Sequence, residues 1–230
     1  MSIHFISQLN LSMDDARNNI RFLKYLSECW GKIEALYLID NVFDVWTGDY
    51  NRHHVTEELV AALTAFNQQT PVFIQTGSHD FLLGDEFSRR TGITLLPSVA
   101  TLEYANQSWL LVSAEVFKQY PQQYQDTKKQ LIEQSHQAMS PQQQQQVRQT
   151  IVQMHQQQAI YAHQNEIQSL VSQMGMKNAC LTKVIHGHVA SSHLIDTVQD
   201  AAFGLHGYNL PKWSCHLGNY FVLADAKQLL

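Results

Sequence analysis

The sequence predicts an α/β fold built on a parallel sheet and interrupted by a helical insertion. Three observations predict it. Short apolar runs alternate with amphipathic, helix-length segments through the N-terminal part of the chain. A polar, motif-like segment follows each of three successive apolar runs. From Gln119 to Gln173 the composition shifts to glutamine, and strand-like runs return after it. Alternation of this kind argues for parallel β-α-β units, whose binding loops lie beyond the strand C-termini.

His4-Phe5-Ile6 reads as a short buried strand. Ser12 then offers an N-cap with Asp15 three residues on, before Ala16, Ile20, Leu23, Leu26 and Trp30 at helical spacing. Gly31 stops that helix, and Ala35 to Ile39 reads as the second strand. Val55 to Phe66 is a second amphipathic helix, and Val72-Phe73-Ile74 the third strand. Ala100 to Tyr104 and Ser108 to Val112 follow as strands joined by a polar turn at Asn106. In the glutamine-rich segment Val147, Ile151, Met154 and Gln158 share one helical face, as do Ile160, Ile167, Leu170 and Val171, so helices are expected over disorder. Leu181 to Ile185, His193 to Val198 and Tyr220 to Leu223 complete the strands.

At 230 residues and 44% hydrophobic content the chain suits one domain with an insertion and a sizeable core. A net charge of -5 and a pI near 6.1 give no electrostatic basis for nucleic-acid binding. Cys29, Cys180 and Cys215 are odd in number and far apart, so reduced thiols are expected. Met1 to Phe5 lacks the basic region and apolar core of a signal peptide, and no run nears the ~18 apolar residues of a membrane span. A cytoplasmic protein is the expectation.

The polar segments carry the chemistry. Asp40-Asn41-Val42-Phe43-Asp44-Val45-Trp46-Thr47-Gly48-Asp49 is followed by Gly77-Ser78-His79-Asp80-Phe81-Leu82-Leu83-Gly84 and then by His186-Gly187-His188. That order and spacing resemble the calcineurin-like metallophosphoesterases, and in particular the UDP-2,3-diacylglucosamine pyrophosphohydrolases of lipid A biosynthesis. The resemblance implies a four-layer α-β-β-α sandwich formed by residues 1–116 and 175–230, with residues 117–174 as a helical cap. It also implies a centre of two Mn ions held by Asp-x-His, Gly-Asp, Gly-Asn-Arg-Asp, a lone His and Gly-His-x-His.

Here those ligand positions are occupied by Gln8, Asn10, Asn41, Ser78, Ser113 and Ala190, and only His188 is retained. Two divalent ions held close together repel unless a carboxylate bridges them, and the amide of Asn41 carries no charge. No metal cofactor and no catalytic residue are therefore expected. The reading is a silenced relative, whose ligand would be a lipid-linked phosphate or a nucleotide-sugar, or which would bind a partner protein, peripherally at the inner membrane face. The residues expected to meet a ligand are His79, which replaces a phosphate-holding Arg, with Asp80, Phe81, Leu82, His186 and His188. The alternative is an active, diverged UDP-2,3-diacylglucosamine diphosphatase using a rebuilt or single-metal site. The histidine candidates for a replacement site are His53 with His54, His186 with His188, and His206 with His216; His186 and His188, two apart at a strand end, face the same way. A structural subunit paired with an active paralogue is the third class.

Overall fold

The computed structural model describes residues 2–51, 54–156, 160–161, 181–188, 206–214 and 220–224. In chain order the strands are β1 (Ser2–Ser7), β2 (Ala35–Ile39), β3 (Val72–Gln75), β4 (Thr94–Leu96), β5 (Val99–Tyr104), β6 (Gln107–Val112), β7 (Lys118–Gln119), β8 (Ile160–Tyr161), β9 (Leu181–His186), β10 (His206–Asn209) and β11 (Phe221–Ala224). The helices are α1 (Ala16–Cys29), α2 (His54–Asn67), α3 (Asp85–Thr91), α4 (Gln122–Gln134) and α5 (Pro141–Gln156).

The strands form two main sheets. One has the order β11-β1-β2-β3-β4, the other β10-β9-β6-β5. β1 to β4 run parallel and β11 is antiparallel to β1. The inner faces meet through Phe5, Tyr37, Ile39, Trp109, Leu111, Ile185 and Leu210. Phe5 stacks on Tyr37 at 4.9 Å and Tyr37 on Phe73 at 4.6 Å, a ladder across neighbouring strands in which each ring lies opposite the next in register. On the outer face of the first sheet, Ile6, Leu36, Leu38 and Ile74 join Phe22 and Leu26 of α1 and Leu59, Leu63 and Phe66 of α2. Sheet on sheet with a helical layer outside is the α/β sandwich that the resemblance implies, and its parallel β1 to β4 are what the alternating pattern predicts.

Two details of α1 differ from expectation. Its N-cap is Asp15, which accepts from Asn18 N at 3.0 Å, while Ser12 Oγ closes a turn by accepting from Asp14 N. Its buried face is Asn18, Asn19, Phe22, Tyr25, Leu26 and Cys29, whereas Ile20 is 66% exposed and Trp30 46%. The physical reason is polar. Asn18 Nδ2 donates to Leu9 O at 2.7 Å and Asn18 Oδ1 accepts from Trp213 Nε1 at 2.7 Å, so an amide rather than an alkyl group fills the inward position. The hairpin at Asn106 is as expected: Ala105 and Asn106 have φ of 51° and 59°, the two left-handed residues of a type I′ turn. β4 and α3 are short elements that the periodicity does not reveal.

In the insertion, Tyr124 and Leu131 of α4 and Val147, Ile151 and Met154 of α5 are buried in the same apolar cluster as Phe43, Trp46, Phe81 and Leu82. Gln142, Gln145 and Gln146 face solvent. Ile160 and Tyr161 lie in β8, paired with β7, rather than in a helix. Gln158, the rest of that second apolar face and the strand expected over 193–198 lie outside the described residues. Ile151 is fully buried. Ile151→Ala should therefore cost about 3 kcal/mol and lower the melting temperature by about 8 °C, while Gln145→Ala leaves it unchanged. Thermal denaturation followed by circular dichroism reads both.

Candidate functional site

The site lies where the loops after β1, β2, β3, β6 and β9 converge. Gln8 and Asn10 in the first loop and Asp40 and Asn41 in the second have φ of 53°, 49°, 57° and 49°. Four side-chain-bearing residues in left-handed conformation are costly, and they persist because the loops lock together. Gln8 N donates to Asp40 O at 3.0 Å and Asn10 N to Asn41 O at 2.8 Å. The third loop packs just as closely: a Cβ on Gly77 would lie 2.1 Å from Asn41 Oδ1.

Two buried carboxylates hold this framework. Asp80 is completely buried and accepts from Val42 N (2.7 Å), Phe43 N (3.3 Å) and Gly77 N (2.7 Å). Burial pushes its pKa up to about 6 although those three donors pull the other way. Asp49 accepts from Trp46 Nε1 at 2.9 Å and from Gly84 N and Phe87 N at 3.0 and 2.9 Å, tying the second loop to the start of α3. Asp80, expected on the ligand side, is thus a structural tie with both oxygens committed to backbone.

The positions that the resemblance matches to metal ligands carry neutral groups bonded to one another, to other side chains or to backbone. Gln8 Nε2 donates to His188 O at 3.2 Å, and Asn10 Nδ2 to Gln8 O at 3.0 Å. Asn41 Oδ1 accepts from His79 N at 3.0 Å, and Ser78 Oγ donates to Glu115 Oε1 at 3.1 Å. Ser113 Oγ donates to Asp40 Oδ1, whose other oxygen accepts from Ala114 N at 2.9 Å. His188 N donates to Ser7 Oγ at 2.9 Å, and its Nδ1 donates to Leu210 O at 3.0 Å, leaving Nε2 with its lone pair. Ala190 lies outside the described residues. A dimetal centre needs converging anionic and imidazole donors. Amides and hydroxyls already engaged in protein hydrogen bonds do not fit it, and among the described residues no three His, Cys, Asp or Glu side chains converge as a metal site.

His186 and His188 have different side-chain partners. His186 is buried, donates Nδ1 to Gly187 O at 3.0 Å and stands edge-on to Phe117. His79 donates Nδ1 to Asp44 O at 2.6 Å and lies tilted against His155 of α5, ring centroids 3.6 Å apart and planes at 34°. Burial lowers both imidazole pKa values; with the repulsion from His79 added, that of His155 falls to about 4, so the pair is neutral. Phe81 and Leu82 are buried, with Lys128 Nζ 4.9 Å from the Phe81 ring centroid. Burial lowers the Lys128 pKa. Arg148 is paired with Asp44 at 3.0 Å and Asp14 at 3.5 Å.

Sequence reasoning missed a second polar cluster between the core and α4. Glu115 binds Lys118 Nζ at 2.6 Å and Tyr120 OH at 2.5 Å besides Ser78. Burial alone would raise the Glu115 pKa, but Lys118, Tyr120 and Ser78 outweigh it and hold it low. The Glu115-x-x-Lys118 spacing was its only signal. An open cleft of about 430 Å³ lies beside the first loop, lined by Gln8, Asn10, Asp15, Asn18, Lys212 and Trp213.

No protein-family profile matches the sequence. A UDP-2,3-diacylglucosamine hydrolase of Chromobacterium violaceum is 39% identical over 111 residues, 48% of this chain and 47% of that protein. The protein of the same name from Shewanella pealeana is 31% identical over 121 residues, 53% of this chain and 51% of its own. The chain thus matches about half the length of these curated relatives. Among solved structures, one described as a novel archaeal phosphodiesterase aligns with 97% of this chain and 99% of its own at 12% identity and a TM-score of 0.42. Over about half its length, this chain is similar to the proteins named UDP-2,3-diacylglucosamine hydrolase.

Proposed function

We propose that this chain is a catalytically silent relative of the UDP-2,3-diacylglucosamine hydrolases, holding a lipid-linked or nucleotide-sugar phosphate rather than cleaving it. The observation that carries the reading is the chemistry of the donor set. Gln8, Asn10, Asn41, Ser78 and Ser113 are all neutral and all engaged in internal hydrogen bonds. Without a cation nothing here activates an attacking water or neutralises the charge that develops on a pyrophosphate, a contribution of several kcal/mol. The cleft beside Gln8 and Asn10, with the exposed Lys212 on its wall, is where such a ligand would lodge.

The purified chain should hold well under one Mn²⁺ per molecule after exposure and desalting. It should not turn over UDP-2,3-diacylglucosamine, while calorimetric titration with that compound or with its lipid phosphate product gives a saturable response below about 1 mM. The rival is a single-ion enzyme centred on His188, whose Nε2 is free to ligate. Metal-dependent turnover near 1 s⁻¹ or above, about the low end of ordinary enzyme rates, and abolished by His188→Ala would establish that rival instead. A chain with neither turnover nor ligand response would leave the protein-partner role, read by co-purification with an active relative.

A further inference from the structure

We propose that Asp40 is the residue that closes the cation site, because its carboxyl and an imidazole at position 113 cannot occupy the fold together. The inference rests on the metal-free reading above and identifies what enforces it. Asp40 was never one of the expected ligands; the resemblance places a glycine at its position. Its side chain nevertheless sits where three loops meet. It leaves the end of β2, receives Ser113 Oγ–H and Ala114 N–H after β6, and lies against the backbone of Gly187 after β9. A Cβ on Gly187 would lie 1.7 Å from Asp40 Oδ2, so no space remains on that side.

The same crowding governs position 113. Ser113 is fully buried and its hydroxyl already touches the Asp40 carboxyl, which is itself 1% exposed. An imidazole carries several more heavy atoms than a hydroxymethyl group, and overpacking of a closed interior destabilises the fold or forces the backbone to shift. Carboxyl at 40 with hydroxyl at 113 is therefore a paired exchange of size for glycine with imidazole. The exchange also supplies an internal bridge between the loops after β2 and β6, since Asp40 reaches both Ser113 and Ala114. Reinstating the six ligand residues alone leaves this wedge in place.

The test has two arms. In the first, Gln8→Asp, Asn10→His, Asn41→Asp, Ser78→Asn, Ser113→His and Ala190→His are combined, with and without Asp40→Gly, and Mn²⁺ per chain is measured by elemental analysis after desalting. The expected result is well under one ion with Asp40 present and about two with Asp40→Gly added. Equal loading of the two variants, whether full or absent, overturns the proposal. The second arm needs no heavily substituted chain. Ser113→His alone should lower the melting temperature by about 6 °C, and by less than half as much in the Asp40→Gly background, measured as a double-mutant cycle. An equal loss in both backgrounds overturns the wedge. Metal bound by the native chain would instead overturn the silent reading, and the cycle would still decide whether Asp40 and a histidine at 113 collide.

Discussion

Asp80→Ala should lower the melting temperature by about 12 °C, among the largest single-residue effects expected in this chain. The substitution leaves the N–H groups of Val42, Phe43 and Gly77 buried without an acceptor. Each orphaned donor costs about 1–3 kcal/mol, and partial relaxation of the loops brings the sum to about 4 kcal/mol. At about 3 °C per kcal/mol for a domain of this size, that is the shift stated. Asp80→Asn keeps the shape but turns one acceptor into a donor facing another donor, so it should recover less than half of the loss. Differential scanning calorimetry of the two variants reads the comparison. A melting temperature for Asp80→Ala within about 2 °C of native would mean that the second and third loops do not hang on this carboxylate.

The role of Asp80 shows what the sequence could and could not reveal. The motif frame was legible: Trp46, Asp49 and Asp80 lie in the motif segments and hold the loops to one another. Parallel alternation was legible too, since β1, β2 and β3 are each a short, mostly apolar segment followed by a polar loop. The buried face of α1 was not. Periodicity pointed to Ile20 and Leu23, but the inward positions include Asn18 and Asn19, whose amides serve backbone carbonyls at Leu9 and Ser12. Hydropathy cannot register a buried polar group whose partner lies in another segment. The site divides along the same line. Residue types alone indicated that the ligand positions were neutral. Where each replacement finds its partner, Gln8 at His188 or Ser113 at Asp40, depends on contacts across 180 and 73 residues that no local pattern encodes. His155 went unnoticed for this reason: in α5 it is one polar residue among glutamines, and only docking places it on His79.

Asp40→Asn should change how stability depends on pH, and by about 2 kcal/mol between pH 5.5 and 8.5. Burial pushes the Asp40 carboxyl from 3.8 up to about 7, with Glu115 adding to the rise, against the pull of Ser113, Ala114 and Lys118. In that interval the folded chain retains a proton that the unfolded chain has released. The stability linked to Asp40 is therefore full below about pH 4 and is lost as the pH climbs through 7. The histidines act in the opposite sense. His4, His79, His155 and His186 all have lowered pKa values through burial, so below about 6.5 the unfolded chain takes up protons that the folded chain refuses. Native stability should thus peak near pH 6. Asp40→Asn removes the alkaline limb and leaves the acidic one, because an amide stays neutral throughout, can still accept one of the two donors and can donate to Ser113 Oγ. Urea denaturation at closely spaced pH values should show the variant gaining on the native chain as pH rises, and equalling or exceeding it by pH 8.5. A difference that stays flat from pH 5.5 to 8.5 would mean that Asp40 ionises as freely as an exposed carboxylate, which its position between Ser113, Ala114 and Gly187 does not permit.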